Sequence, residues 1–485
     1  MSDVIMKIDI VSRESIRPSS PTPSHLNTYS LSLLDQLCPP LYVPLLLYYT
    51  KQLDSGTDCN LGDKESSSRC DVLKKSLAET LSKYYPLAGR IKDDVSVECN
   101  DEGVDFIEAR VVGREVSQVI QLTDSVNIDI MEPFLPFEPY GESGSTFGLG
   151  LDLVSKALLK IQVNVFDCGG IIICAYIFHR IADGTTFVNF IKDWAATARG
   201  DGDSGFRVQG KPHYELFSLF PPRALLGFNV NEMIETEKGI LTKRFVFKAL
   251  NIAKLKKKCI HDAKEAYEGG EQEQQPPTRF EALTSLIWKC FMDVDRQTKA
   301  RRHHEDVVSA SVDAPTDDAV LRQVQHYGAS FSINLRTRMN PPLPSNTFGN
   351  AVGLAIAQVS HNLDNNVDYA ELVSKVKNAV DQIDSDHVRA LQSTDALSNI
   401  EKMKPKLEKG TVLLHFTSRC RFPIYEAADF GWGKPTWASL SKLPTKNLVM
   451  FMDTSSGDGV EAYVSLKNED MMEFERHQEL LAFVA

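Results

Sequence analysis

Gly170-Ile171-Ile172-Ile173-Cys174-Ala175-Tyr176-Ile177-Phe178-His179-Arg180-Ile181-Ala182-Asp183-Gly184 decides the fold class. Its first nine residues carry no charge and are rich in β-branched and aromatic side chains, the composition of a strand buried on both faces. The run is far shorter than the roughly 20 apolar residues a bilayer crossing needs. Upstream, 158–165 reads as a second strand, and Asp167-Cys168-Gly169-Gly170 supplies the turn residues of a hairpin. Downstream, 186–198 reads as a helix that follows directly on Asp183. Hairpin followed by helix predicts a mixed α/β protein. The same stretch leaves one imidazole at the end of an apolar strand, on the rim of a sheet, where a side chain can face a cleft.

Working outward, Lys7-Ile8-Asp9-Ile10-Val11 alternates polar and apolar residues and reads as a strand with one buried face. Leu73, Leu77, Leu81 and Tyr84 recur at helical spacing within 71–85, and Pro86 stops the helix. Further strands are expected at 104–112, 243–247, 330–335, 411–417 and 448–453. Helices are expected at 252–263, 279–291 and 468–484. The 485 residues suffice for two or three domains. A small, polar, proline-containing stretch marks a linker, so the chain is divided into a first domain at 1–205, a linker at 206–236 and a second domain at 237–485. The polar stretch 293–328, with Arg301-Arg302-His303-His304-Glu305-Asp306 inside it, reads as an inserted surface loop rather than a metal site, because consecutive side chains diverge. Gly269-Gly270-Glu271-Gln272-Glu273-Gln274-Gln275-Pro276-Pro277 reads as a second loop.

A net charge of −12 argues against a general role on nucleic acid. The first residues lack a basic region followed by an apolar stretch, and the last carry no retention or peroxisomal address, so a cytoplasmic protein without membrane attachment is expected. The nine cysteines are odd in number and include no Cys-x-x-Cys pair. Reduced, buried thiols follow, and a zinc site does not.

The chemistry centres on His179 and Asp183. A neutral imidazole accepts a proton near neutral pH. Asp183 either orients that imidazole, as in a catalytic triad, or holds the turn by pairing with an arginine; spacing alone leaves both open. Taken alone, His179 also fits a hydrogen-bonded buried histidine. No Gly-x-Ser-x-Gly elbow supports a covalent serine route. Asp429-Phe430-Gly431-Trp432-Gly433-Lys434-Pro435 reads as a tight, structured loop with a packed tryptophan, its glycines permitting backbone shapes that other residues resist.

The two segments together resemble the BAHD acyltransferases of plants, which move an acyl group from coenzyme A to an alcohol or amine. The resemblance runs along nearly the whole chain. It includes Leu31-Ser32-Leu33-Leu34-Asp35, Tyr84-Tyr85-Pro86-Leu87-Ala88-Gly89-Arg90, Phe166-Asp167-Cys168-Gly169-Gly170, Leu286-Ile287-Trp288-Lys289 and Asn334-Leu335-Arg336-Thr337-Arg338-Met339-Asn340-Pro341-Pro342.

The resemblance implies two similar α/β domains of the chloramphenicol acetyltransferase type, each with a mixed sheet, and a channel between them entered by coenzyme A and acceptor from opposite faces. It implies that His179 is the general base and that Asp183 is structural and pairs with Arg336. Asp429, Gly431, Trp432 and Gly433 then form a distant support. Thr417, in Phe416-Thr417-Ser418-Arg419-Cys420, is the expected oxyanion donor. Arg419 stands where relatives carry Trp; it either reshapes the acyl end of the channel or turns to solvent. Among the cluster Lys254, Lys256, Lys257 and Lys258, Lys256 is a candidate contact for the coenzyme A phosphates or part of a solvated helix face. Thr278 and Arg279 match positions that meet pantetheine and phosphates. Thr347-Phe348-Gly349-Asn350-Ala351 lacks the cysteine of the anthocyanin malonyltransferase group. The overall look is that of alkaloid acetyltransferases. The expectation is a monomer that binds no resident cofactor and uses acyl-CoA, with acetyl-CoA favoured, to acylate a hydroxyl of an alkaloid or related polycyclic metabolite. The alternatives are a bulkier acyl-CoA, a terpenoid or phenolic acceptor, or a non-catalytic relative that only binds ligand.

Overall fold

The computed structural model describes residues 6–51, 62–125, 128–136, 156–201, 211–225, 239–266, 276–310, 324–361, 367–403, 405–443 and 445–485. The chain divides into two units: Met1–Lys238 with Pro341–Val352 and Arg421–Pro444, and Gly239–Asn340 with Gly353–Cys420 and Thr445–Ala485.

In the first unit, β1 (Lys7–Ile16), β3 (Tyr42–Tyr49), β6 (Val104–Val112), β7 (Leu159–Phe166), β8 (Ile171–Phe178) and β13 (Trp437–Ser439) form one sheet. The order is β1-β6-β7-β8-β3-β13. Only β6 and β7 run parallel; the other pairs whose register is known are antiparallel. The expected hairpin is present, with Gly169 donating to Phe166 across the turn and Phe166 to Gly170. All eight residues of β8 are buried, because it is flanked on both edges and covered on both faces. Each such Ile or Phe contributes roughly 1.5–3 kcal/mol relative to an exposed position. A smaller antiparallel sheet joins β2 (Thr28–Ser30), β5 (Ser96–Glu98) and β4 (Arg90–Asp93) in that order. The helix Gly62–Leu81 buries Leu73, Leu77 and Leu81 as the spacing predicts, and the chain then tightens into a short 3₁₀ turn at Tyr85–Ala88.

In the second unit, β9 (Ile240–Phe247), β10 (Gln325–Asn334), β11 (Val352–His361), β12 (Val412–Ser418), β14 (Leu448–Asp453) and β15 (Val460–Lys467) form a second mixed sheet. Its order is β11-β10-β12-β14-β15-β9, with β10, β12 and β14 parallel and the β15 pairs antiparallel. The helices Ala249–Ala266, Arg279–Ala310 and Tyr369–Asp381 belong to this unit. The closing helix expected at 468–484 is two shorter ones, Asn468–Phe474 and Gln478–Leu481.

The structure corrects three expectations. The Asp429 segment does not belong with the C-terminal domain: β13 adds to the edge of β3, pairing Trp437 with Tyr48 and Ser439 with Leu46, which ties Arg421–Pro444 into the first unit. The described part of the 206–236 linker is not a free tether. Leu216 and Phe220 are buried in the first unit, and His213 bridges to Thr347; 206–210 and 226–236 lie outside the described residues. The polar stretch from Asp293 is not a loop up to 310, because the helix that begins at Arg279 continues through it. Arg301 and Arg302 pair with Glu473 and Glu469 on the helix Asn468–Phe474, and Lys299 with Asp295 one turn back. Of the remainder to 328, residues 325–328 open β10; 311–323 and most of the Gly269–Pro277 stretch lie outside the described residues.

No helix among the described residues is long and apolar enough to cross a membrane. No group of three or more His, Cys, Asp and Glu among them is placed to hold a metal ion.

Candidate active site

The end of β8 delivers His179. Its backbone N–H donates to Leu41 O at 2.8 Å, so the residue just beyond the strand is still held to the segment leading into β3. The side chain is half-buried. The next three residues turn, and Asp183 N-caps the helix Gly184–Arg199 in extended backbone geometry. Asp183 Oδ1 accepts from Thr186 N at 2.8 Å, satisfying one of the amides that a helix N-terminus leaves open. Oδ2 accepts from Ala351 N at 3.1 Å. The carboxylate is thus bonded to backbone of both the helix and the 341–352 segment.

The imidazole meets a residue that the sequence reading did not single out. His179 Nδ1 lies 3.2 Å from Asn350 Oδ1. Asn350 is fully buried, and its Nδ2 donates to His179 O and to Asp35 Oδ1, both at 2.8 Å. Its backbone N–H reaches the same Asp35 oxygen at 2.7 Å. Asp35 Oδ2 takes the N–H and hydroxyl of Ser32 at 2.8 and 2.7 Å, a capping box on the short helix Leu33–Gln36. Burial raises the Asp35 carboxyl, while the donors from Ser32 and Asn350 oppose that shift by favouring the anion. Thr186 Oγ1 donates to Gly349 O at 2.9 Å, fixing the loop from the helix side. Gly349 sits at φ +110°, and a Cβ there would meet Leu216 Cδ2 at 2.9 Å and Asp35 Oδ1 at 3.3 Å. A signal for this cluster existed in Ser32-x-x-Asp35 and in Gly349-Asn350. What the sequence could not supply is that they converge on the histidine.

The Asp429 loop lies elsewhere in the first unit. Asp429 Oδ1 accepts from Gly431 N and Gly433 N, at φ +108° and +97° respectively, and Arg199 donates to Asp429 O. Phe430 packs edge-on against Trp194 and stacks with Trp432, over which the Arg69 guanidinium sits at 5.8 Å.

The remaining site candidates belong to the second unit. Thr417 lies half-buried on β12 beside Met450. Arg419 is buried, which removes the solvent-facing alternative for it. Arg336 is 2% exposed and its Nη1 reaches Asn334 Oδ1 at 3.5 Å. Thr278 caps its helix reciprocally with Glu281. Arg279 reaches Asp453 Oδ1 at 3.2 Å and Gly457 O at 3.4 Å. Lys256 is half-buried on its helix, whereas Lys258 of the same cluster pairs with Glu479 and lies over the Tyr369 ring.

A family model described as the transferase family matches residues 6–481. The chain belongs to the BAHD acyltransferases. Limonoid 1-O-acetyltransferase of Citrus sinensis is 33% identical over 488 residues, covering 99% of each chain. Stemmadenine O-acetyltransferase of Catharanthus roseus is 35% identical over 466 residues, covering 96% of this chain and 95% of the other. The crystal structure of vinorine synthase superposes with a TM-score of 0.72 at 30% identity, covering 99% of this chain and 98% of the other. The BAHD two-domain fold with two mixed sheets is therefore that of this chain, and its activity is acyl-CoA-dependent acyl transfer. Fold similarity extends to F. sporotrichioides TRI101 complexed with coenzyme A and T-2, at a TM-score of 0.63 and 15% identity.

Proposed function

We propose that this BAHD enzyme transfers acetyl from acetyl-CoA to a hydroxyl of a polycyclic alkaloid or terpenoid, with His179 as general base and no covalent enzyme intermediate. The carrying observation is the half-buried imidazole at the end of β8, held at its carbonyl, its N–H and its Nδ1. A thioester is already activated, so one positioned base suffices. The imidazole takes the hydroxyl proton as the oxygen attacks the acyl carbonyl. The tetrahedral oxyanion requires a fixed donor, and Thr417 carries that role over from the family resemblance. Collapse breaks the C–S bond, and the imidazolium returns its proton to the thiolate of coenzyme A. Asp183 and Arg336 act as structural support, as does the loop of Asp429, Gly431, Trp432 and Gly433. Lys256, Thr278 and Arg279 are assigned to coenzyme A. The preference for acetyl and for polycyclic acceptors rests on relatives named as stemmadenine and limonoid O-acetyltransferases. A cytoplasmic, monomeric enzyme completes the reading.

The test is purified protein with acetyl-CoA and longer acyl-CoA donors against panels of alkaloid and limonoid alcohols, with product detected by mass spectrometry. Wild type forms an acetyl ester, and His179→Ala loses roughly 10²–10⁴-fold in rate while still binding coenzyme A. A His179→Ala variant that keeps more than about a tenth of the rate, against the 10²-fold minimum for a general base, removes the base assignment. Absence of transfer across both panels favours the binding-only relative.

A further inference from the structure

We propose that Asn350 is a positioning residue that sets the tautomer of His179, placing the proton on Nδ1 and the basic lone pair on Nε2. The inference rests on His179 being the base. Asparagine carries one acceptor and one NH₂ group with two donors. Its nitrogen lies 2.8 Å from His179 O, a carbonyl that can only accept, and 2.8 Å from Asp35 Oδ1, which also takes the Asn350 backbone N–H. Both amide donors are therefore committed. Turning the amide over would set oxygen against oxygen at both contacts. The amide oxygen consequently faces the ring, and Nδ1 at 3.2 Å must be the ring nitrogen that donates. A neutral imidazole with its proton on Nδ1 accepts at Nε2.

The support around the amide is rigid for physical reasons. Asp35 is fully buried and fixed by Ser32 through a capping box. The residues on either side of Asn350 are bonded to the helix that begins after the histidine turn, Gly349 O by Thr186 Oγ1 and Ala351 N by Asp183 Oδ2. The ring and its partner are therefore held by one assembly, in which Asp183 bonds the backbone beside Asn350. Asp35 is a carboxylate one amide removed from the imidazole. The acceptor at Nδ1 is a neutral amide oxygen, which orients the ring.

The experiment reads the tautomer directly. Protein labelled with ¹⁵N-histidine is examined by long-range ¹H–¹⁵N correlation at a pH where the rings are neutral, and His179→Gln assigns the His179 signals by their loss. The wild-type ring is expected to carry its proton on Nδ1. In Asn350→Ala the ring should shift to a mixture or to the Nε2–H form. kcat should then fall by about 10²-fold or more, as expected when a base is held in the wrong tautomer, with KM for acyl-CoA changed only a few-fold. A wild-type ring protonated on Nε2 overturns the proposal, as does an Asn350→Ala ring whose tautomer is unchanged. If Asn350→Ala does not fold, the wild-type spectrum against His179→Gln still decides. If His179→Gln retains the wild-type rate, the base assignment fails instead, whatever the tautomer.

Discussion

Asp183 ties the turn after His179 to the 341–352 segment. Its two oxygens accept from Thr186 N and Ala351 N, and both bonds need an acceptor. In Asp183→Asn a single amide oxygen can serve only one of them, and the other N–H faces an NH₂ group. The expected cost is about 1–3 kcal/mol, the scale for a buried donor left unsatisfied. A lower melting temperature should therefore accompany the loss of activity. A variant as stable as wild type but inactive would mean that the carboxylate acts in the chemistry itself. At this scale the sequence was partly legible. The apolar run ending in His179 and the carboxylate four residues later are adjacent in the chain, so spacing located them. Asn350 and Asp35 are 171 and 144 positions from the histidine. Nothing local in a single sequence reports that proximity.

Among the elements, the turn at Gly349-Asn350-Ala351 is where backbone freedom is most needed. Gly349→Ala would impose a side chain at φ +110° and drive its Cβ to 2.9 Å from Leu216 Cδ2. The strain is about 1–3 kcal/mol, and any shift of the loop displaces Asn350 with it. Transfer rate is expected to fall further than thermal stability does; an active variant with unchanged melting would show that the loop tolerates the residue. Elements with a strong period or a full apolar run were legible: β6 and β14 fall at the expected residues. β3 was not read, because Pro44 lies inside it. The sheet explains the exception. β13 pairs only with Leu46, Leu47 and Tyr48, so Pro44 sits where the strand is still an edge and a missing N–H is tolerated. The helix Arg279–Ala310 was cut short in the reading because its second half is polar, and its anchors, Glu469 and Glu473, lie some 170 residues away.

For the molecule as a whole, one half-buried carboxylate contributes to stability against acid. Asp293 is flanked by His361 Nε2 at 3.2 Å, Lys289 Nζ at 3.5 Å and His477 Nε2 at 3.6 Å. Burial pushes its carboxyl up, but bonds from the two histidines and the lysine charge outweigh that and hold it well below the usual range. A depressed folded-state value contributes stability above the unfolded value of about 4, and that contribution is lost as the pH falls below it. Asp293→Asn should thus cost about 1.5–3 kcal/mol at pH 7 and flatten the decline of stability on acidification. Denaturation curves of both proteins taken from pH 7 downward check this; parallel profiles would exclude the role. The chain first passes from one unit to the other at Lys238–Gly239. The two later crossings, at 341–352 and 421–444, are set by partners that lie far off in the sequence, such as Asp183 for Ala351 and Tyr48 for Trp437.

Those crossings set a timetable for synthesis. The first unit cannot be finished when residue 238 leaves the ribosome, because β3 still lacks β13 and the histidine still lacks Asn350. Translation at ~5–20 residues per second makes the wait for Trp437 about 10–40 s. During that interval the nascent chain presents an unpaired, apolar strand edge, the kind of surface that chaperones cover and that aggregates when left bare. A message truncated anywhere before the codon for Trp437 yields a first unit with that edge still open.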